Sequence, residues 1–228
     1  MAFGNTSFGN TYMIDIVFCI DASSSMQNVM EKVKHAVIEF PRIVWEAFEE
    51  RAKYVDKIRT KVITFRDFKF DKDALVSSPF YTFPEEEEEF RQCVNGIEAV
   101  GGGDEPENGL EALSEAMNSE WTQEGNLRRH IIVLFTDASA VEFEDSKKDH
   151  PQYPAIVPAN LAELQDWWEE GTPNGSLQNL ARRLILFAPE VEPWYMAVAV
   201  WNLTCYTPYV ISDDVEIEEF IRQHEILR

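Results

Sequence analysis

The chain has 228 residues, enough for one large domain with a substantial core, and its 45% hydrophobic and 12% aromatic content is that of a globular protein. Lys and Arg together number 20 against 41 Asp and Glu, a formal net charge of −21. So acidic a surface repels nucleic-acid phosphates and anionic membranes, which argues against both as partners.

Three cysteines, Cys19, Cys93 and Cys205, are widely spaced and form no CxxC motif. An odd count without a framework points to a reducing compartment. The first residues, MAFGNTSFGNTYM, carry no basic stretch followed by an apolar one, so no secretory signal is expected. No apolar run approaches the roughly 20 residues that span a bilayer. The expectation is a soluble, cytoplasmic protein.

In chain order, Ile14 to Ile20 reads as a first strand, apolar nearly throughout, as a strand covered on both faces should be. Met26, Val29, Met30, Val33, Val37, Phe40, Val44 and Phe48 recur at helical spacing, with Pro41 expected to kink that helix. Residues 59–65, RTKVITF, read as a second strand, and 79–83, PFYTF, as a short third at an edge because of Pro79. PEEEEEFRQCVNGI and ENGLEALSEAMN are two helices; the acidic run of the first is a solvated helix start. HIIVLFTD, 130–137, is a fourth strand that again ends in an acid. A long polar surface loop follows over 139–158. NLAELQDWWEE is a helix. Its adjacent Trp167 and Trp168 project about 100° apart, so one is expected in the core and the other partly exposed on a partner surface. RRLILFAP and NLTCYTP are the fifth and sixth strands, and DVEIEEFIRQHEIL, 214–227, is an amphipathic closing helix.

Alternating strands and helices predict an α/β fold: a doubly wound, Rossmann-like, mostly parallel sheet of about six strands, one of them a short antiparallel edge strand, with helices on both faces. No repeat or linker divides the chain, so 1–228 is expected to be a single domain.

In such sheets ligands gather beyond the carboxyl ends of the strands. Asp21 and Asp137 stand at two such ends. Asp21, Ser23 and Ser25 alternate, which in an extended loop puts their oxygens on one side. A carboxylate and two hydroxyls make a hard oxygen site suited to Mg²⁺ or Mn²⁺, and less to Ca²⁺. The loop VGGGDEPE contributes flexible glycines and Asp104. Simpler readings exist: Ser25 as a helix N-cap, Asp21 as a residue that orients its loop, and Glu107 as a first-turn helix acid rather than a ligand.

DASSS at 21–25 (a DxSxS motif), GGGDEPE at 101–107 and LFTDAS at 134–139, in this order, resemble the von Willebrand factor A (VWA) domain family, specifically its GGGDxPE branch. The resemblance covers nearly the whole chain. It implies a metal-ion-dependent adhesion site (MIDAS). Asp21, Ser23 and Ser25 match its first motif and Asp137 its distal acid. Asp104 stands where many members have a threonine, as a direct or a water-mediated ligand. The resemblance further implies a protein partner whose Asp or Glu completes the metal, in an intracellular and prokaryotic setting beside an ATPase or a kinase and phosphatase system.

A strand ending in aspartate also resembles the haloacid dehalogenase-type phosphohydrolases, but these need a second acid two residues later, where this chain has Ser23. No other catalytic motif appears, and the four histidines, His35, His130, His150 and His224, are scattered. The chain therefore reads as a binding module rather than an enzyme. A metal-dependent phosphohydrolase and a subunit whose metal is purely structural are the alternatives.

Overall fold

The computed structural model describes residues 11–103 and 105–208. Asp104 and the closing helix expected over 214–227 lie outside the described residues. Within them a sheet runs in the order β3-β2-β1-β5-β6-β7, with β4 also pairing to β2. Its strands are β1 (Thr11–Asp21), β2 (Tyr54–Phe65), β3 (Leu75–Ser77), β4 (Tyr81–Phe83), β5 (Leu127–Phe135), β6 (Arg182–Phe187) and β7 (Thr204–Thr207). β1, β2, β5, β6 and β7 are parallel. β3 and β4 run antiparallel to successive halves of β2. The edge thus carries two short antiparallel strands where one was expected. β3 is three residues long with Val76 and Ser77 exposed, too short to show an alternating pattern.

Helices α1 (Met30–Glu49), α2 (Glu87–Asn95), α3 (Gly109–Met117) and α4 (Leu161–Glu169) complete the layers. β1 is central and buried on both faces, which is why its sequence is apolar without alternation. Ile14, Ile16, Phe18 and Ile20 face a core built with Val33, Val37, Phe40 and Val44 of α1 and Phe90 and Val94 of α2. Val17 and Cys19 face the opposite core, with Leu110, Leu113 and Met117 of α3 and Leu164 and Trp168 of α4. Phe18 meets Phe40 edge to face at 5.4 Å between ring centroids, a favoured aromatic geometry.

Two local expectations are corrected, at the start of α1 and at the tryptophans of α4. α1 starts at Met30, after a 3-10 turn over Ser24–Asn28 that still buries Met26, so the apolar spacing runs on through a non-α segment. Pro41 lies inside α1, which continues past it to Glu49. Trp167 and Trp168 are both buried, so neither is a partner surface. The Trp168 indole N–H donates to the Asn202 carbonyl at 2.6 Å and its ring carries the Arg182 guanidinium at 5.2 Å.

The register sets the functional end of the sheet. Asp21 pairs with Phe65 and Ile20 with Phe135, so β1, β2 and β5 finish level. β1 connects through α1 to β2 on one side, while β5 lies on its other side. The carboxyl end of β1 is therefore the topological switch point where open α/β sheets bind ligands.

Candidate metal centre

Asp21 is the last residue of β1 and is fully buried. One carboxylate oxygen accepts from the Ser23 backbone N–H at 2.9 Å, and the other accepts from the Thr136 hydroxyl at 2.6 Å. Ser23, almost wholly buried, has its hydroxyl 2.9 Å from that of Ser25. The Ser25 hydroxyl in turn donates to Asp137 at 2.7 Å. Asp21, Ser23, Ser25 and Asp137 thus form one connected group across the ends of β1 and β5. Ser25 caps no helix: it sits inside the 3-10 turn, and α1 begins without a side-chain cap.

Thr136 was not anticipated, although it directly precedes Asp137 in the sequence. Its hydroxyl also accepts from the Ala138 N–H at 3.1 Å, so it fastens the β5 loop to the buried Asp21.

The glycine loop closes the site from a third side. Gly101, Gly102 and Gly103 all have positive φ, +76°, +90° and +61°, a region open to glycine and strained for other residues. A Cβ on Gly102 would lie 2.3 Å from Glu107 Oε1 and 2.5 Å from Ser23 Cβ. Only glycine lets this loop pass between them.

Glu107 lies beside that connected group and is not a first-turn helix acid. α3 begins at Gly109, and Glu107 precedes it in an extended bridge to Ala140. Its N–H donates to the Ser139 carbonyl and its carbonyl accepts from Val141 N–H, tying the glycine loop to the loop after β5. The residue is 4% exposed, and its carboxylate oxygen Oε2 is buried without a hydrogen-bond partner. Buried carboxylate oxygens without partners are costly and rare.

The electrostatics follow from this crowding. Burial pushes the Glu107 carboxyl up to about 9, and the charges of Asp21, Asp67, Asp71 and Asp137 push the same way. Burial raises Asp21 to about 6, against the pull of hydrogen bonds from Thr136 and Ser23 and with a further push from Asp137. Among the described residues no group of three or more His, Cys, Asp or Glu is disposed as a metal cluster. The donors that do converge are two carboxylates and two hydroxyls, with the orphaned Glu107 oxygen beside them. A hard divalent cation would fit that set, because its charge would offset the clustered carboxylates.

The family model for the von Willebrand factor A domain matches residues 15–150, more than half of the chain. The chain belongs to the von Willebrand factor A domain family. No curated protein is significantly similar to it. The VWA fold recurs in the pilus adhesin SpaC from Lactobacillus rhamnosus GG, at a TM-score of 0.54 and 11% identity, over 96% of this chain and 30% of that one. It also recurs in proximal thread matrix protein 1 of the mussel byssus, solved with a zinc-occupied MIDAS motif. That match has a TM-score of 0.54 and 13% identity, over 94% of this chain and 45% of the other. This VWA chain therefore spans less than half the length of either neighbour. Among its described residues, no helix is long and apolar enough to cross a membrane.

Proposed function

We propose that this VWA domain is a divalent-metal-dependent protein interaction module. The observation that carries the reading is the buried, unpartnered Glu107 oxygen beside the linked group Asp21, Ser23, Ser25 and Asp137. Asp21, Ser23, Ser25, Asp104 and Asp137 would hold Mg²⁺ or Mn²⁺, with Glu107 added as a further acid. A bound metal offers a partner's Asp or Glu a coordination position, and a charge-assisted contact results. The rest is the work of the chain: Thr136 and the Ser23 N–H hold the Asp21 carboxylate in one orientation, and the Ser25 hydroxyl holds Asp137. The zinc-occupied motif of the mussel byssus protein supports the same reading.

The module binds rather than catalyses. Two residues after Asp21 stands Ser23, whose hydroxyl faces Ser25, so no acid is placed there to protonate a leaving group. Its partner is a protein that presents an acidic side chain, such as an ATPase or a member of a kinase and phosphatase system. Three free cysteines fit a cytoplasmic setting.

The test starts from protein stripped by a chelator. Mg²⁺ or Mn²⁺ should raise its melting temperature, with about 2.7 kcal/mol of stabilisation at a hundredfold excess over the dissociation constant. Asp21→Ala should abolish that gain. A melting curve and a calorimetric titration that ignore both ions would overturn the proposal.

A further inference from the structure

The segment that follows β2, residues 66–73, grips the glycine loop from behind. The Arg66 side chain makes four hydrogen bonds, each to a main-chain carbonyl. Nε donates to Ala22 at 2.9 Å and to Val100 at 2.7 Å, Nη1 to Asp73 at 2.9 Å and Nη2 to Glu98 at 2.9 Å. Ala22 lies between Asp21 and Ser23, and Val100 directly precedes the three glycines. One guanidinium thus joins the first motif loop to the glycine loop. The Val100 N–H donates to the same Ala22 carbonyl, and the Ser24 N–H and hydroxyl both donate to the Gly101 carbonyl. Asp71 adds a second hold: a carboxylate oxygen accepts from the Gly102 N–H at 2.7 Å. Asp71 is itself placed by a tight turn, with its N–H on the Asp67 carbonyl.

We infer that Arg66 and Asp71 are positioning residues that set the glycine loop against the Asp21–Ser25 loop and so preorganise the metal centre. The inference deepens the proposed function and rests on it for its effect on metal affinity. The physical reason is the loop's own freedom. Three successive glycines have the largest backbone entropy to lose. Without fixed donors and acceptors they would hold no single position relative to Ser23. A planar fork with five donors suits this task, because its hydrogen bonds lie in fixed directions. Lysine keeps the charge but has a single ammonium, which does not span carbonyls from Ala22, Glu98, Val100 and Asp73.

Asp71 acts through hydrogen bonding, so an amide oxygen serves it equally well. Asp71→Asn keeps the acceptor and loses only a nearby charge, so it should retain most of the parent's Mn²⁺ affinity, whereas Asp71→Ala and Arg66→Lys should each weaken binding about tenfold or more, the usual scale for residues that orient ligands. The experiment measures Mn²⁺ affinity by calorimetry on the full chain, with circular dichroism as the check on folding. It also measures hydrogen exchange of residues 98–103 in the metal-free protein, which does not depend on metal binding. Faster exchange there in Arg66→Lys and Asp71→Ala, with the rest of the sheet unchanged, is the expected result. Unchanged exchange and unchanged affinity in Arg66→Lys would overturn the inference. Asp71→Asn losing as much affinity as Asp71→Ala would make Asp71 a metal ligand and end its positioning role. A parent protein that binds no Mn²⁺ would remove the proposed function, while the exchange data would still decide whether the brace exists.

Discussion

Glu107 and His130 are both buried ionisable residues, and they differ in what surrounds them. Glu107 has one carboxylate oxygen without a partner and four aspartates around it. In the metal-free fold burial already favours the protonated, neutral Glu107, which the unfolded chain must take up a proton to form; Glu107→Gln is neutral in both states and keeps the shape. The metal-free variant should therefore melt higher than the parent, while Mn²⁺ affinity falls; thermal melts with and without the ion read both signs. His130 is satisfied as a neutral ring. Its Nε2 lies 3.2 Å from the Thr122 carbonyl, and its Nδ1 accepts from the Gln178 N–H at 3.4 Å. That pattern suits the Nε2–H tautomer, and Trp121 stacks on the ring at 5.0 Å. Burial lowers its pKa from 6.5 to about 4. In this window the unfolded chain takes up the proton and the folded one does not. The stabilisation is complete above pH 6.5 and is lost as pH falls toward 4. Urea denaturation should show the parent losing on the order of 3 kcal/mol more than His130→Gln between pH 7 and pH 4.

At the scale of elements, α4 illustrates how local signals act. Asn160 caps it, with its side-chain oxygen accepting the Glu163 N–H at 2.9 Å. Glu163 reaches back to the Ala159 N–H at 2.6 Å. This is close to a capping box, displaced by one residue. Asn160→Ala should cost about 1 kcal/mol in equilibrium unfolding, with the candidate metal centre unaffected. The same level separates what sequence reveals from what it hides. β1 and β5 were legible because a strand buried on both faces is an unbroken apolar run, and α1 because its apolar residues return every turn. Trp167 and Trp168 were misjudged: a 100° offset leaves room for both when a helix beds deeply on its core. Asp21, Ser23, Ser25 and Asp137 carried a motif whose spacing reflects their convergence. Arg66 and Asp71 carried none. Their partners are backbone atoms distant in sequence, and a carbonyl leaves no mark on the residue that supplies it. Glu107 was hidden by its neighbour, since an acid two residues before a helix looks like part of its first turn.

Across the whole molecule, the two ends of the sheet bury different charged groups. The far end holds a buried ion pair: Asp15 accepts from Arg59 at 2.8 and 2.6 Å and from the Thr122 N–H at 2.6 Å. Asp15 and Asp21 are six residues apart on one strand, about 20 Å at the strand rise of 3.3 Å. Asp15→Asn leaves Arg59 without its charge partner and should destabilise the fold by about 2–4 kcal/mol. Its Mn²⁺ affinity, measured well below the melting temperature, should stay within about twofold of the parent, because sites so far apart and without shared contacts behave independently.

The glycine loop also constrains how this protein can change over generations. Each glycine is held small by a different neighbour: Asp71 at Gly101, Ser23 and Glu107 at Gly102, and the Phe70 ring at Gly103. A single substitution at any of them meets both an unfavourable φ and a collision. The collisions are unequal in what relieves them. At Gly103 the obstacle is an exposed aromatic ring that a second mutation can trim, and its φ of +61° is one that asparagine tolerates. At Gly102 the obstacle is the site itself, so no suppressor can arise without dismantling it. Drift in this loop should therefore enter at position 103, in step with position 70, and leave position 102 untouched.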